Sequence, residues 1–269
     1  MKSDLLFPAL LASREILLAK DSSGSPSQKE DRSPVTAADL ASNRVIESWI
    51  RSRHPSDGII SEESLAATYA NRKQWNRIWF IDPLDGTTEF IAGRNEYGVS
   101  LGLAIHGTIQ QGVIVAPELG LVVWGVVGEG TRIAKMTSNE FLQISETREL
   151  QILEAVVHRS KQLEIPIRQP FWKPTTVLCS RSHHDSDTGE YLDSLNCAKR
   201  LTVGACIKFI RLAEGVADYY PRLKALHEWD IAGGHGIVKA AGGNLFCFGT
   251  KNEVRYNSES LLSPPFEAY

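Results

Sequence analysis

The sequence predicts a mixed α+β and α/β protein built as two subdomains, residues 1–170 and 171–269. Three observations carry this expectation. Residues 97–134 hold several short Val- and Ile-rich runs, separated by Gly107-Thr108, Pro117-Glu118-Leu119-Gly120 and the glycines at 128 and 130. Such runs between turn residues read as an antiparallel meander. From residue 177 onward, short apolar runs alternate with helix-like stretches, the pattern of an α/β unit. Ahead of the meander, Ile78-Trp79-Phe80-Ile81 runs unbroken into Asp82, which fits a strand buried on both faces.

Composition bounds what the protein does. A chain of 269 residues with 42% hydrophobic content supports a sizeable core. A net charge of −3 and a pI near 6.2 argue against bulk nucleic-acid binding, so an anionic substrate must be drawn by metals or by a few local cations. Cys179, Cys197, Cys206 and Cys247 form no C-x-x-C pair, which argues against zinc and for reduced residues of a cytoplasmic protein. Residues 5–18 are interrupted by Pro8, Ser13, Arg14 and Glu15, so neither a signal peptide nor a membrane span is expected.

In chain order, residues 4–19 read as a helix with Leu6, Leu10 and Leu17 on its apolar face and Pro8 tolerable only near the first turn. Residues 21–34, rich in Ser, Gly and charge, read as a mobile loop. Thr36 is an N-cap for a helix through about Arg53, with Ala41, Val45, Trp49 and Ile50 inward and Asp39 in its first turn. A carboxylate there commonly does no more than complement the helix dipole. Residues 58–61 form a short strand that delivers Glu62-Glu63. Within 137–174, residues 150–157 read equally as helix or strand, and Pro166, Pro170 and Pro174 mark a crossing between subdomains. Residues 177–179 read as a strand. Asp187 or Thr188 caps a helix to about Leu195, residues 200–203 form a strand, and Gly204 opens a helix through Glu214. Residues 217–220 form another strand. Trp229-Asp230 opens the last helix, which runs through Ala241 and stops at Gly242-Gly243.

The chemistry concentrates at IWFIDPLDGTTEFI, residues 78–91. Asp82 sits where the strand stops and Asp85 follows three residues later. Pro83 fixes the turn, Gly86 lets backbone approach a ligand, and Thr87-Thr88 offer hydroxyls where a helix could begin. Paired carboxylates repel an organic anion that a helix N-terminus attracts. A divalent cation resolves the conflict by neutralising the carboxylates and then binding phosphate itself. D-x-x-D alone is more often a surface turn; the buried strand before it and Gly-Thr-Thr after it favour a site. Two strands that each end in carboxylates, at Glu62 and at Asp82, point to one sheet edge and one site.

Taken in order, SEE at 61–63, DPLDGT at 82–87 and WDIAGG at 229–234 resemble the three signatures of the inositol-monophosphatase-like, magnesium-dependent and lithium-sensitive phosphatases. Within that family the chain looks most like the CysQ-type 3′(2′),5′-bisphosphate nucleotidases. SPVTAAD at 33–39, DPLDGTTEFI at 82–91, SRSH at 180–183, IKF at 207–209, ADYYPR at 217–222 and NSESLLSPPF at 257–266 carry that likeness, which runs from about residue 5 to 266. The resemblance implies a layered α-β-α-β-α sandwich with metals between two subdomains: most metal ligands in the first, the substrate-binding residues and Asp230 in the second. It implies two or three Mg²⁺ ions held by Glu62, Asp82, the Leu84 carbonyl, Asp85 and Asp230. Asp39 and Thr87 would orient the attacking water, with Glu62 touching the water or its metal. Gly86 and Thr87 would offer N–H groups to the phosphate, and Ser182, His183, Lys208 and Arg222 would hold the nucleotide and its second phosphate. His184 is left structural, since a His pair is more often a hydrogen-bonding pair than a zinc site.

The implied activity is hydrolysis of the 3′-phosphate of adenosine 3′,5′-bisphosphate to AMP and phosphate by a cytoplasmic monomer or homodimer. Its partners are small phosphorylated molecules, not nucleic acid. The alternative is an inositol-1-monophosphatase; a binding or regulatory protein that has lost catalysis fits poorly with intact Glu62, Asp82, Asp85, Thr87 and Asp230. Two departures from the branch stand out. Thr88 replaces its usual Lys, and Ile231 with Gly233-Gly234 replaces a Thr and Ala-rich pattern, a change expected to relax helix packing. With Asp230 in the second subdomain, domain closure is expected to complete the site.

Overall fold

The computed structural model describes residues 3–20, 27–28, 34–165, 174–182, 185–195 and 199–269. Helix α1 (Leu6–Lys20) carries Pro8 in its first turn, as expected, and buries Leu6, Leu10, Ile16 and Leu17. The two-residue strands β1 (Ser27–Gln28) and β2 (Pro34–Val35) pair antiparallel; most of the stretch expected to be a mobile loop lies outside the described residues. Helix α2 (Ala37–Arg53) begins at Thr36 with a capping box. The Thr36 hydroxyl accepts from the Ala38 N–H at 3.2 Å, and Asp39 accepts from the Thr36 N–H at 2.8 Å. Its inner face differs from the expected one. Ala41 and Val45 are half-buried, whereas Ala38, Ser42 and Ile46 join Trp49 and Ile50 inside. Ser42 points inward because its hydroxyl donates to the Pro83 carbonyl at 2.6 Å, a polar anchor that a hydrophobic pattern does not reveal.

Next come β3 (Gly58–Ser61), α3 (Tyr69–Arg72), β4 (Arg77–Asp85) and α4 (Thr87–Ile91). The meander follows as β5 (Gly98–Ile105), β6 (Thr108–Ala116), β7 (Leu121–Val126) and β8 (Gly130–Lys135). Its turns fall where the glycines and Pro117 predicted. Helices α5 (Ser138–Leu142) and α6 (Glu149–Arg159) and strand β9 (Lys161–Leu163) follow, so residues 150–157 are helical. These strands make one seven-stranded sheet in the order β3-β4-β5-β6-β7-β8-β9, parallel at β3–β4 and antiparallel elsewhere. Alternation along β4 sends Trp79 and Ile81 to one face and Ile78 and Phe80 to the other, all nearly inaccessible. The first face is covered by α1, α2, α5 and α6.

The remaining elements are β10 (Thr176–Ser180), α7 (Ser186–Ser194), β11 (Lys199–Val203), α8 (Ile207–Ala213), β12 (Tyr220–Arg222), α9 (Glu228–Ala240), β13 (Leu245–Cys247) and β14 (Phe266–Ala268). β10 and β11 pair in parallel, and β12-β14-β13 form an antiparallel sheet. Three boundaries are corrected. Asp185, not Asp187 or Thr188, caps α7 by accepting from the Thr188 N–H at 2.8 Å. Helix α8 starts at Ile207 rather than Gly204, because Ala205 is held at φ 48°, a left-handed conformation that interrupts a helix. The strand expected at 217–220 lies at 220–222. Tyr219 forms an isolated bridge to Val177, and the ladder to β14 begins at Tyr220. Cys206 and Cys247 are free thiols; Cys197, Pro166 and Pro170 lie outside the described residues. Among the described residues no helix is long and apolar enough to cross a membrane.

Helix α9 lies on the second face of the large sheet, and glycines on both sides set its distance. A Cβ on Gly102 would stand 2.5 Å from the Ala232 Cβ, and one on Gly125 would stand 2.7 Å from the Ala240 Cβ. A Cβ on Gly236 would lie 2.5 Å from the Gln111 carbonyl carbon and the Gly112 Cα. Gly233 faces Ser100 and Leu101, while Gly234 gives room to the Phe209 ring. The expectation that Gly233-Gly234 relaxes packing is therefore reversed: here glycine is what lets backbone meet backbone. Gly236→Ala should destabilise. Overpacking costs about 1–3 kcal/mol against about 1 kcal/mol returned by helix propensity, and the contacted atoms are backbone that cannot turn aside. Gly189→Ala in α7, where a Cβ meets nothing within 4 Å, should instead stabilise by up to about 1 kcal/mol. Urea denaturation of both variants checks the contrast.

Candidate active site

Parallel pairing sets Ser61 beside Ile81, and the Glu62 N–H donates to the Ile81 carbonyl at 3.1 Å. Glu62 and Asp82 thus leave adjacent strands side by side, as expected from two strands ending in carboxylates. Beyond Asp82 the ladder slips. Asp82 faces Ser100 but Asp85 faces Gly98, so β4 carries one extra residue, a bulge that re-aims its carboxylates. The Leu84 N–H closes the bulge on Asp82 Oδ1 at 3.1 Å, and Ser42 of α2 holds the Pro83 carbonyl. Helix α2 also steadies β3, where the Ser61 hydroxyl donates to Asn43 Oδ1 at 2.6 Å. Gly86 sits at φ 97° with Ala205, Glu96 and Tyr97 crowded around it, so a side chain fits neither the conformation nor the space.

The Thr87 hydroxyl lies 2.9 Å from Asp39 Oδ1 and 3.2 Å from the Leu84 carbonyl. The other Asp39 oxygen accepts from the Thr36 N–H and, at 2.6 Å, from the Thr36 hydroxyl. Burial raises the Asp39 pKa, opposed by these hydrogen bonds from Thr36 and Thr87. Asp39 is thus more than a dipole-complementing residue: it caps α2 with one oxygen and holds Thr87 with the other.

Asp82 is 2% exposed, and burial, reinforced by Glu62, Asp85 and Asp230, pushes its pKa well above the ordinary range. Burial raises Asp85 to about 7, against the opposing pull of Lys208 and of a hydrogen bond from the Cys206 thiol. Asp230 reaches the same cavity from the first turn of α9. Its Oδ2 accepts from the His227 N–H at 2.8 Å, and burial, Asp85 and Glu62 raise its pKa strongly.

These groups line a cavity of about 490 Å³ whose walls also include Pro34, Leu84, Gly86, Thr87, Thr88, Glu89, Lys208, Tyr220, Arg222, His227 and Trp229. Lys208 donates to the Ala205 carbonyl at 2.8 Å; burial lowers its pKa and Asp85 raises it. Arg222, nearly buried, pairs with Asp185 at 2.9 Å. Ser182 is not on the cavity wall; its hydroxyl donates to Glu89, which is. His183 and His184 lie outside the described residues. Arg181 forks onto Glu96 at 2.6 and 3.0 Å, and Glu96 also accepts from the Gly204 N–H. Sequence reasoning missed Glu89, Tyr220, His227 and Trp229. The last two stack at 4.4 Å beside Asp230, and their signal was the pair of rings flanking that motif.

Among the described residues no three acidic, imidazole or thiol side chains converge tightly enough to cage an ion alone. The donors are hard oxygens: the carboxylates of Glu62, Asp82, Asp85 and Asp230 and the Leu84 carbonyl. Mutual repulsion with a raised pKa at Asp82, Asp85 and Asp230 is what an incoming cation relieves. Such a set suits Mg²⁺, which takes one or two carboxylates and keeps waters or phosphate oxygens in its remaining positions.

The model of the inositol monophosphatase family matches residues 9–266. The chain belongs to the inositol monophosphatase family. Among its curated relatives, the 3′(2′),5′-bisphosphate nucleotidase CysQ of Salmonella typhimurium is 33% identical over 239 residues, 89% of this chain and 86% of the relative. The solved structure of CysQ from Bacteroides thetaiotaomicron is 30% identical and superposes with a TM-score of 0.81, covering 98% of this chain and 94% of that one. A more distant family fold, an IMPase/NADP phosphatase complexed with Mg²⁺ and phosphate, is 17% identical with a TM-score of 0.69, covering 95% and 85%.

The repulsion makes a prediction about the metal-free protein. Asp82 and Asp85 have folded pKa values above the unfolded 3.8, so the folded state holds protons that the unfolded state has released. Stability should therefore fall as pH rises from about 4 through about 7. Asp82→Asn should raise the denaturation midpoint at pH 7 without metal and flatten that slope. Mg²⁺ should raise the midpoint of the wild type far more than that of the variant, as thermal melts at two pH values with and without Mg²⁺ will show.

Proposed function

We propose that the chain is a Mg²⁺-dependent phosphatase that removes the 3′-phosphate from adenosine 3′,5′-bisphosphate, giving AMP and phosphate. The observation that supports it best is the convergence of oxygen donors from β3, β4 and α9 in one cavity that also contains Lys208 and Arg222. The CysQ relatives support the choice of substrate. In this reading Glu62, Asp82, Asp85, Asp230 and the Leu84 carbonyl hold two or three Mg²⁺ ions. Bound there, Mg²⁺ supplies positive charge to the phosphoryl oxygens and makes water easier to deprotonate.

The chain's own residues do the rest. Thr87, anchored on Asp39, accepts from the attacking water and fixes its line of approach, with Asp39 as the proton's destination. The N–H groups of Gly86 and Thr87 hold the phosphoryl oxygens. The water oxygen bonds to phosphorus as the bond to the ribose 3′-oxygen breaks, and the departing oxygen takes a proton from solvent water. Lys208 and Arg222 hold the second phosphate, and the ion pair with Asp185 sets the direction of the guanidinium. Ser182 acts through Glu89, and His183 is assigned to phosphate or ribose. Thr88 leaves the position of the branch's usual Lys uncharged, so Lys208 and Arg222 carry more of the discrimination.

Thr87→Ala should lower kcat by roughly 10²-fold or more with little change in KM, the usual scale for a positioned proton-transfer group. A near-normal kcat would reduce Thr87 to a structural role. Arg222→Ala should raise KM for the bisphosphate roughly 10- to 100-fold, from about 1.5–3 kcal/mol per charge-assisted bond, and should change inositol monophosphate far less. Steady-state kinetics on both substrates, with Mg²⁺ and with excess chelator, decides. Turnover in chelator overturns the metal mechanism. A wild-type preference for inositol 1-phosphate, or equal weakening of both substrates, replaces the nucleotidase reading with the inositol one.

A further inference from the structure

The C-terminal stretch NSESLLSPPF takes no part in the chemistry above, yet it is held from two sides, by the end of α3 and by the start of α9. Arg72 ends α3, on the connection between β3 and β4, and is 2% exposed. Its guanidinium donates to Asn257 Oδ1 at 2.7 Å, to the Ser258 carbonyl at 2.7 Å and to the Glu259 carbonyl at 2.6 Å. Asn257 answers from Nδ2 to the Arg72 carbonyl at 2.8 Å. From the other side, the buried carboxylate of Glu228 accepts from the Asn257 N–H at 2.7 Å and the Ser258 N–H at 2.8 Å. The Glu228 N–H donates to the Leu261 carbonyl at 2.9 Å, and the Ser263 N–H donates to the Leu226 carbonyl at 2.7 Å.

The loop is also strained. Asn257 at φ 70° and Leu261 at φ 57° occupy the left-handed region. For leucine this costs on the order of 1–2 kcal/mol, and it persists only where the surroundings over-determine it. The segment so held, residues 226–228, leads straight into Asp230. The Asp230 carboxylate is aimed by the His227 N–H, and His227 itself bridges Leu262. Arg72 thus sits on the connection between the strands that deliver Glu62 and Asp82, and grips the loop that fixes Asp230.

We propose that Arg72 and Glu228 are positioning residues: through residues 257–263 they set where the Asp230 carboxylate stands relative to Glu62 and Asp82, and so set the affinity of the site for its divalent cation. The inference rests on the reading that these carboxylates hold Mg²⁺. Its test uses Mg²⁺ alone, titrated calorimetrically into the full chain without substrate. Arg72→Met should raise the Mg²⁺ Kd roughly 10- to 100-fold, the range found when groups that orient metal ligands are removed. Glu228→Gln keeps the volume but turns one of two acceptors into a donor facing an N–H, and should shift Kd the same way. Phe141→Leu, in the core on the opposite face of the sheet, should lower the denaturation midpoint and leave Kd unchanged. Wild-type affinity in both clamp variants, or equal weakening by Phe141→Leu, overturns the proposal. Failure of the wild type to bind Mg²⁺ overturns the metal reading and this proposal with it.

Discussion

The repulsion among Glu62, Asp82, Asp85 and Asp230 is the constraint around which the rest is built. Charges of one sign do not gather beneath a protein surface unless other structure forces them together, because burial and proximity each disfavour the ionised form. Here the forcing is traceable. A parallel strand pair puts Glu62 beside Asp82, a bulge locked by Leu84 and Ser42 brings Asp85 round, and a helix pressed on the sheet carries in Asp230. Strand pairing, helix packing and caps hold the cluster against its own electrostatics, and the stored conflict is what gives a cation its foothold.

The cationic part of the same cavity is built more simply. Lys208 and Arg222 are both nearly buried, and each is held by the chain itself, Lys208 by a backbone carbonyl and Arg222 by Asp185. A fixed guanidinium loses little freedom when a phosphate arrives, so orientation is settled before binding. Glu96 holds Arg181 and the Gly204 N–H together, which ties the end of β10 to the turn before α8.

Much of this was legible in the sequence because it is local. A four-residue apolar run and the glycines of the meander predicted the sheet, and Thr36 predicted the start of α2. Glu62 and Asp82 at strand ends predicted a shared edge. Misreadings came where distant partners decide. Ser42 looks like a surface serine until Pro83, 41 residues on, supplies its acceptor. Arg72 meets its partners 185 to 187 residues away. Ala205 carries no left-handed signature, since alanine rarely adopts that conformation. Ser182 has the composition of a ligand-binding residue, but the chain supplies the carboxylate that takes its hydroxyl.

The glycine contact under α9 bears on how the site works. Packed helices slide past one another by repacking interdigitated side chains, the shear that underlies many domain motions. Between α9 and β5–β7 there is little such layer, because Gly102, Gly112, Gly233 and Gly236 bring the chains together with no side chain between. An axial slip would drive Ala232 or Ala240 into backbone. The helix is thereby keyed to the sheet by backbone contact, and the height at which it carries Asp230 over β5–β7 is set by the absence of side chains.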